Sequence, residues 1–158
     1  MRPFDRQRYL TTGIEIVAFR RRHLRRILEI ERASFGKVAW PRRLFLELQR
    51  DCPDLFFAAK VSRRIAGYSA TCVAEGQAEL VSLAVHPDYR RRGVAGALLQ
   101  HTMRDLRRAK IRRVELMVRT GNAAGIRLYH SFGFRRVRMV RRYYEDGGDG
   151  ILMARAIQ

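Results

Sequence analysis

Lysine is nearly missing from this chain: Lys37, Lys60 and Lys110 are the only three among 33 basic residues, so arginine carries the formal charge of +18. Acidic residues number 15, too few to balance it. Cysteine is scarce as well. Cys52 and Cys72 stand alone, with no Cys-x-x-Cys pair and no histidine at ligand spacing, so no metal site is expected. Both are expected as small buried hydrophobes rather than as a disulfide. No apolar run reaches the length of a membrane span, which excludes a membrane partner of that kind. Arg2, Asp5, Arg6 and Arg8 break up the start, where a signal peptide needs an apolar stretch, so the expected location is cytoplasmic. The dinucleotide-binding glycine fingerprint and the P-loop Gly-Lys-Ser/Thr are also missing.

What is present suffices for a core. With 158 residues, 47% of them apolar and 9% aromatic, the chain fits one ordinary domain and is not expected to be disordered. The arginines fall in pairs and triplets along the whole length without one long basic block. That pattern admits two interpretations, a footprint for nucleic acid or the ribosome, and arginine spread over solvated faces. Under either, an anionic ligand is attracted to the surface.

Residues 1–12 carry no periodicity and are expected as a tail, with one domain over 13–158. Ile14 to Phe19 is apolar and β-branched, as a strand requires. Leu24, Ile27, Leu28 and Ile30 recur at helical spacing to about Ser34. Pro41 opens a second helix whose buried face is Leu44, Phe45 and Leu48. Leu55 to Val61, Ile65 to Ala74 and Ala78 to His86 are three strands with short turns between them, a meander. Then come a helix (Val94 to Ala109), a strand (Val114 to Val118) and a helix (Asn122 to Phe132). Two strands close the chain, Phe134 to Tyr144 and Ile151 to Ile157. The order β-α-α-β-β-β-α-β-α-β-β predicts a mixed sheet with helices on its faces, in the α/β to α+β class.

One stretch has the makings of an anion site. The strand Leu80 to Val85 is followed by His86-Pro87-Asp88-Tyr89, then Arg90-Arg91-Arg92-Gly93-Val94-Ala95-Gly96, then a helix. The first amides of a helix have no internal acceptors, and its dipole is positive there. Gly93, Ala95 and Gly96 leave room for a diphosphate to approach the main chain, and three arginines add counter-charge. By itself this spacing identifies an anion site and not the anion.

The run SLAVHPDYRRRGVAGALL resembles the Q/R-x-x-G-x-G/A signature of the GNAT acetyltransferase superfamily, and VRTGNAAGIRLYHSFGF resembles that superfamily's downstream segment. The element order fits the GNAT fold, a mostly antiparallel, seven-stranded mixed sheet flanked by four helices, over residues 13–158. Tyr143-Tyr144-Glu145-Asp146-Gly147 carries a closer resemblance to protein N-terminal acetyltransferases, both the ribosomal-protein alanine type and the archaeal N-alpha type.

The resemblance implies acetyl-CoA as the acetyl donor, with no metal. Its pantetheine arm would pair with the main chain of Leu83, Ala84 and Val85, and its pyrophosphate would rest on the Arg90–Gly96 loop. Asn122 matches a position that contacts the coenzyme, and asparagine is equally a favoured helix N-cap. Tyr129 matches the general acid that returns a proton to the departing thiolate. Tyr143 and Tyr144 match tyrosines that hold the incoming peptide N-terminus. Phe35 and Trp40, in the connection between the first two helices, are placed to shape the pocket for the first side chain.

One position departs from the pattern. Where the ribosomal-protein enzymes keep a general-base glutamate, this chain has Met117, which cannot take a proton. Glu115 lies about 7 Å away along the strand, and Glu79 matches the strand position of the basic glutamate in histone-type relatives. A weak base is enough for an α-amine. Its pKa of about 7.7–8.0 makes neutralisation at pH 7 cost about 1.0–1.4 kcal/mol, against about 4.6 kcal/mol for lysine. The implied function is direct acetyl transfer to a protein or peptide N-terminus, with a ribosomal partner suggested by the charge. Two alternatives stand beside it: acetylation of a small amine, and a ribosome- or RNA-binding protein on a vestigial acetyltransferase fold.

Overall fold

Strand alternation and helical spacing decide between them which side chains are buried here. In this computed structural model, which describes residues 13–158, seven strands make one sheet. They are β1 (Ile14–Ala18), β2 (Phe56–Val61), β3 (Arg64–Ala74), β4 (Gln77–Val85), β5 (Arg113–Arg119), β6 (Arg135–Val140) and β7 (Gly150–Ala156). The spatial order is β1-β2-β3-β4-β5-β7-β6. Every neighbouring pair is antiparallel except β4 and β5. The helices are α1 (Leu24–Phe35), α2 (Arg42–Asp51), α3 (Val94–Arg108) and α4 (Ala123–Ser131). Mixed sheet, four helices and element order are as the sequence implied. The expected tail, residues 1–12, lies outside the described residues.

The two faces of the sheet carry separate cores. Leu24, Ile27 and Ile30 of α1 and Phe45 of α2 pack on Phe56, Tyr68 and Ala84. On the other face Leu98, Leu99, Met103 and Leu106 of α3 meet Phe57, Leu80, Val114 and Leu116. β3 is central and covered on both faces, so it has a continuous buried run where an amphipathic strand would alternate. Gly67 in that run is required by close approach: a Cβ there would lie 2.8 Å from the Ala84 carbonyl oxygen.

A bulge in β4 opens the sheet. Ala70 pairs with Ser82 but Thr71 pairs with Leu80, so Val81 is an extra residue on the β4 side. The parallel ladder with β5 covers only Gln77–Leu80 against Arg113–Leu116. Beyond it β5 stays paired with β7 as far as Arg119, while Ser82–Val85 keep β3 on one side and no strand among the described residues on the other.

Two expectations are corrected. Cys52 and Cys72 are joined in a disulfide, with Cα atoms 5.2 Å apart. The β2–β3 pairing sets Phe56 beside Ala70, which carries the end of α2 onto β3 and brings the two cysteines into reach. The sixth strand also ends early, at Val140, so Tyr143 and Tyr144 sit in the β6–β7 connection. Arg142 there takes φ 51° and its N–H donates to Asp149 Oδ1 (2.9 Å), which turns the chain out of the sheet.

Candidate functional site

The parted ends of β4 and β5 form the candidate site. On the β4 side, Leu83, Ala84 and Val85 present main chain that no strand on the β5 side uses. Arg90 turns back on this segment instead of joining an outward-facing basic cluster. Its Nε donates to the Val85 carbonyl (3.1 Å), and a terminal guanidinium nitrogen donates to Ser34 Oγ at the end of α1 (3.3 Å). Arg90 thus ties the strand end to the first helix. Arg91 and Arg92 remain exposed, Arg92 lying over the Tyr89 ring at 5.4 Å.

Gly93 then takes a left-handed φ of 81° as the N-cap of α3, a conformation that favours glycine. No side chain caps this helix, and its first internal bond runs from the Ala97 N–H to the Gly93 carbonyl (3.0 Å). The amides of Val94, Ala95 and Gly96 therefore have no helical acceptors. The loop from Arg91 to Gly96 brings positive charge and main-chain donors to the end of β4.

Tyr129 of α4 belongs to the core cluster that also holds Val85 at the end of β4 and Val118 of β5. Its ring is buried, edge-on to Phe134 at 5.9 Å. Its hydroxyl makes no hydrogen bond to a described residue, yet it is not among the sealed-off polar atoms. Burial, with Tyr144 nearby, pushes its pKa up to about 12, so the hydroxyl keeps its proton at neutral pH. Asn122 Oδ1 accepts from the Gly125 N–H (2.9 Å), so the asparagine caps α4.

Two connections flank the opening. Between β6 and β7, Tyr143 and Tyr144 stack edge to face at 4.9 Å. Arg119 at the end of β5 holds them: its guanidinium lies 4.0 Å from the Tyr144 ring centroid and pairs with Asp146 at 3.1 Å. Met117 packs against Gly150, where a Cβ would lie 2.8 Å from its Sδ and 3.4 Å from the Tyr143 Cβ. Met117 is thus packed beside the β6–β7 connection. On the other side, between α1 and α2, Phe35 is exposed and Trp40 half-buried against Phe45 at 6.0 Å.

Glu79 and Glu115 stand opposite each other on β4 and β5, before the strands part. Glu115 is held by Arg113 (2.9 Å), while Glu79 is exposed and has no ion pair among the described residues.

A further group was not expected from the sequence. The Glu31 carboxyl of α1, 1% exposed, accepts the Trp40 main-chain N–H at Oε1 (2.9 Å) and the Tyr68 hydroxyl at Oε2. Ser82 Oγ lies 2.8 Å from the same Tyr68 oxygen. Burial raises the Glu31 carboxyl above its usual value, with the bonds from Trp40 and Tyr68 opposing. Tyr68 is also pushed well up, by burial first and by Glu31 next. The signal was there to find: Glu31 follows Leu24 by seven residues and Ile27 by four, which places it on the helix's apolar face.

With this geometry, known proteins can be compared. The family model described as the acetyltransferase (GNAT) family matches residues 24–134. The chain is 33% identical to the N-alpha-acetyltransferase of Sulfurisphaera tokodaii, covering 81% of this chain and 84% of that one. It is 36% identical to the [ribosomal protein bS18]-alanine N-acetyltransferase of Escherichia coli, covering 73% and 79%. The crystal structure of Ard1 from Thermoplasma volcanium superposes with a TM-score of 0.88 at 26% identity, covering 92% and 99%.

Proposed function

The chain belongs to the acetyltransferase (GNAT) family, and on that premise we propose that it moves an acetyl group from acetyl-CoA directly to the N-terminal α-amine of a protein or peptide. The observation that carries the proposal is the opening between β4 and β5, with the free amides of α3 at the end of β4 and the aromatic β6–β7 connection held by Arg119 at the end of β5. Relatives named for N-alpha and ribosomal-protein alanine acetylation support a protein N-terminus as acceptor. A ribosomal protein is one such substrate, as the relatives named for ribosomal-protein alanine acetylation support, the basic surface suits association with the ribosome's anionic RNA, and the cytoplasm is the compartment we assign. The domain we assign to this activity spans 13–158, after a short tail.

Acetyl-CoA supplies the activated thioester. The main chain of Leu83, Ala84 and Val85 aligns the pantetheine arm, with the Val85 carbonyl already committed to Arg90. The amides of Val94 to Gly96, with Arg91 and Arg92, hold the pyrophosphate. Asn122, whose Oδ1 is used as a cap, has its amide group left for the coenzyme. Tyr143 and Tyr144 hold the peptide backbone, and Phe35 and Trp40 shape the space for its first side chain. Glu79 draws the amine's proton through water, which the low pKa of an α-amine permits. Carbonyl charge building up in the attack is met by a main-chain amide of β4. Tyr129, still protonated because its pKa stands at about 12, donates to the departing sulfur.

The test is acetylation of peptides beginning with Ala, Ser, Met and Leu, beside free lysine and polyamines, read by mass at the N-terminus. Peptide N-termini should be modified and polyamines not. Tyr129→Phe should lower kcat about a hundredfold or more with acetyl-CoA affinity retained. Turnover of polyamines alone would overturn the assignment.

A further inference from the structure

The proposed chemistry leaves one buried polar group unused, the linked side chains of Glu31, Tyr68 and Ser82. Removing a carboxyl from water is costly, and among the described residues no lysine or arginine pairs with it: its partners are a main-chain N–H and a phenol. An apolar side chain at this site, one turn after Ile27 on the same helix, would pack without that cost. What the carboxyl provides is a geometric tie. One oxygen holds Trp40, the last residue before Pro41 and α2. The other holds Tyr68 on β3, 0% exposed, whose hydroxyl reaches Ser82 on β4.

The ends of this chain of bonds matter. Ser82 is the residue just after the bulge at Val81, and it directly precedes the open segment Leu83–Val85. The connection from Gly36 to Trp40 bends at a left-handed Gly36 (φ 55°); Phe35, the last residue of α1, and Val38 on the connection are exposed. Within that connection the Ala39 N–H bonds only back to Gly36 (3.1 Å). The Glu31 carboxyl is thus the polar anchor that fixes its far end to the helix and, through Tyr68, to the strand at the opening.

We propose that Glu31 is a specificity-determining positioning residue: through Trp40 on one side and Tyr68–Ser82 on the other, it fixes the α1–α2 connection against β4, so that the acceptor's first residue meets a rigid wall. This rests on the assignment of an N-terminal peptide as acceptor. Glu31 touches neither substrate. Its effect belongs to peptide affinity and to discrimination between first side chains, and acetyl-CoA binding at the α3 end is left alone.

The experiment uses three proteins, wild type, Glu31→Leu and Glu31→Gln. Leucine keeps the packing, and Tyr68 retains Ser82 as its partner, so the fold survives. Glutamine keeps an acceptor for Trp40 and offers Tyr68 a donor. Trp40 is the only tryptophan in the chain, so its emission reports on the connection independently of catalysis. Glu31→Leu should shift Trp40 emission to the red and ease its quenching by acrylamide. Peptide KM should rise about tenfold, the scale of one lost hydrogen bond, and preference among Ala-, Ser-, Met- and Leu-starting peptides should flatten. KM for acetyl-CoA should stay within about twofold, and Glu31→Gln should restore both emission and preference. Unchanged Trp40 emission with unchanged peptide preference in Glu31→Leu would overturn the proposal. So would equal losses for peptide and acetyl-CoA. If wild type acetylates no peptide, the functional assignment falls, and Trp40 emission alone decides whether Glu31 holds the connection.

Discussion

Burial of the Glu31 carboxyl makes the folded chain hold that proton more tightly than the unfolded chain does. The folded pKa is raised above 4.5, so any stability linked to the proton is present below 4.5 and is lost as pH rises through the raised value. Glutamine has no such proton. The Tm difference between Glu31→Gln and wild type should therefore grow in glutamine's favour as pH increases from about 4, then level off. Thermal melts of both proteins across that range measure it. A pH-independent difference would mean that the carboxyl is not buried in the folded state. At this scale the sequence was readable where a local rule decides, as at Asn122, whose Oδ1 caps α4. It was unreadable where a side chain's task depends on partners 9 and 37 positions away, as with Glu31, Trp40 and Tyr68.

Among the elements, β3 carries the largest number of constraints, since it lies between β2 and β4 and is tied to α2 by the Cys52–Cys72 disulfide. A link closing a loop with a sequence separation of 20 stabilises by about 3 kcal/mol in the chain-entropy view. For a chain of this size that corresponds to roughly 6–12 °C in Tm. Melting with and without reductant should show a drop of that order, and Cys72→Ser should be insensitive to reductant. A Tm unmoved by reductant would mean that the bond contributes nothing to the fold. Element order was legible because apolar periods of two and 3.6 recur clearly along the chain. The disulfide was not, since two isolated cysteines carry no spacing rule and only the β2–β3 register brings them together. The end of β6 was missed for a related reason. Arg141 to Tyr144 suits a strand locally, but Asp149 captures the Arg142 N–H from across the turn. The bulge at Val81 was hidden inside a uniform run, Leu80-Val81-Ser82-Leu83, whose alternation gives no sign of an extra residue.

Across the whole molecule the charge is uneven. Residues 116–144 hold Arg119, Arg127, Arg135, Arg136, Arg138, Arg141 and Arg142 and not one acid. Three of these lie on β6, an edge strand exposed along nearly its full length. Charge on an exposed edge discourages pairing with other chains, which accounts for part of the pattern. The same field acts on substrates, with opposite sign for the two acceptor classes. A polyanionic donor such as acetyl-CoA gains from attraction that salt screens, so its KM should rise several-fold between about 0.05 and 0.5 M NaCl. A polyamine is repelled by the same field, so added salt should lower its KM, if it is a substrate at all. Steady-state kinetics at four or five salt concentrations separate the cases. A donor KM that ignores salt would leave the arginines with edge protection as their role. A donor KM that rises while peptides remain the only acceptors ties the excess charge to capture of the donor at the Arg91–Gly96 loop.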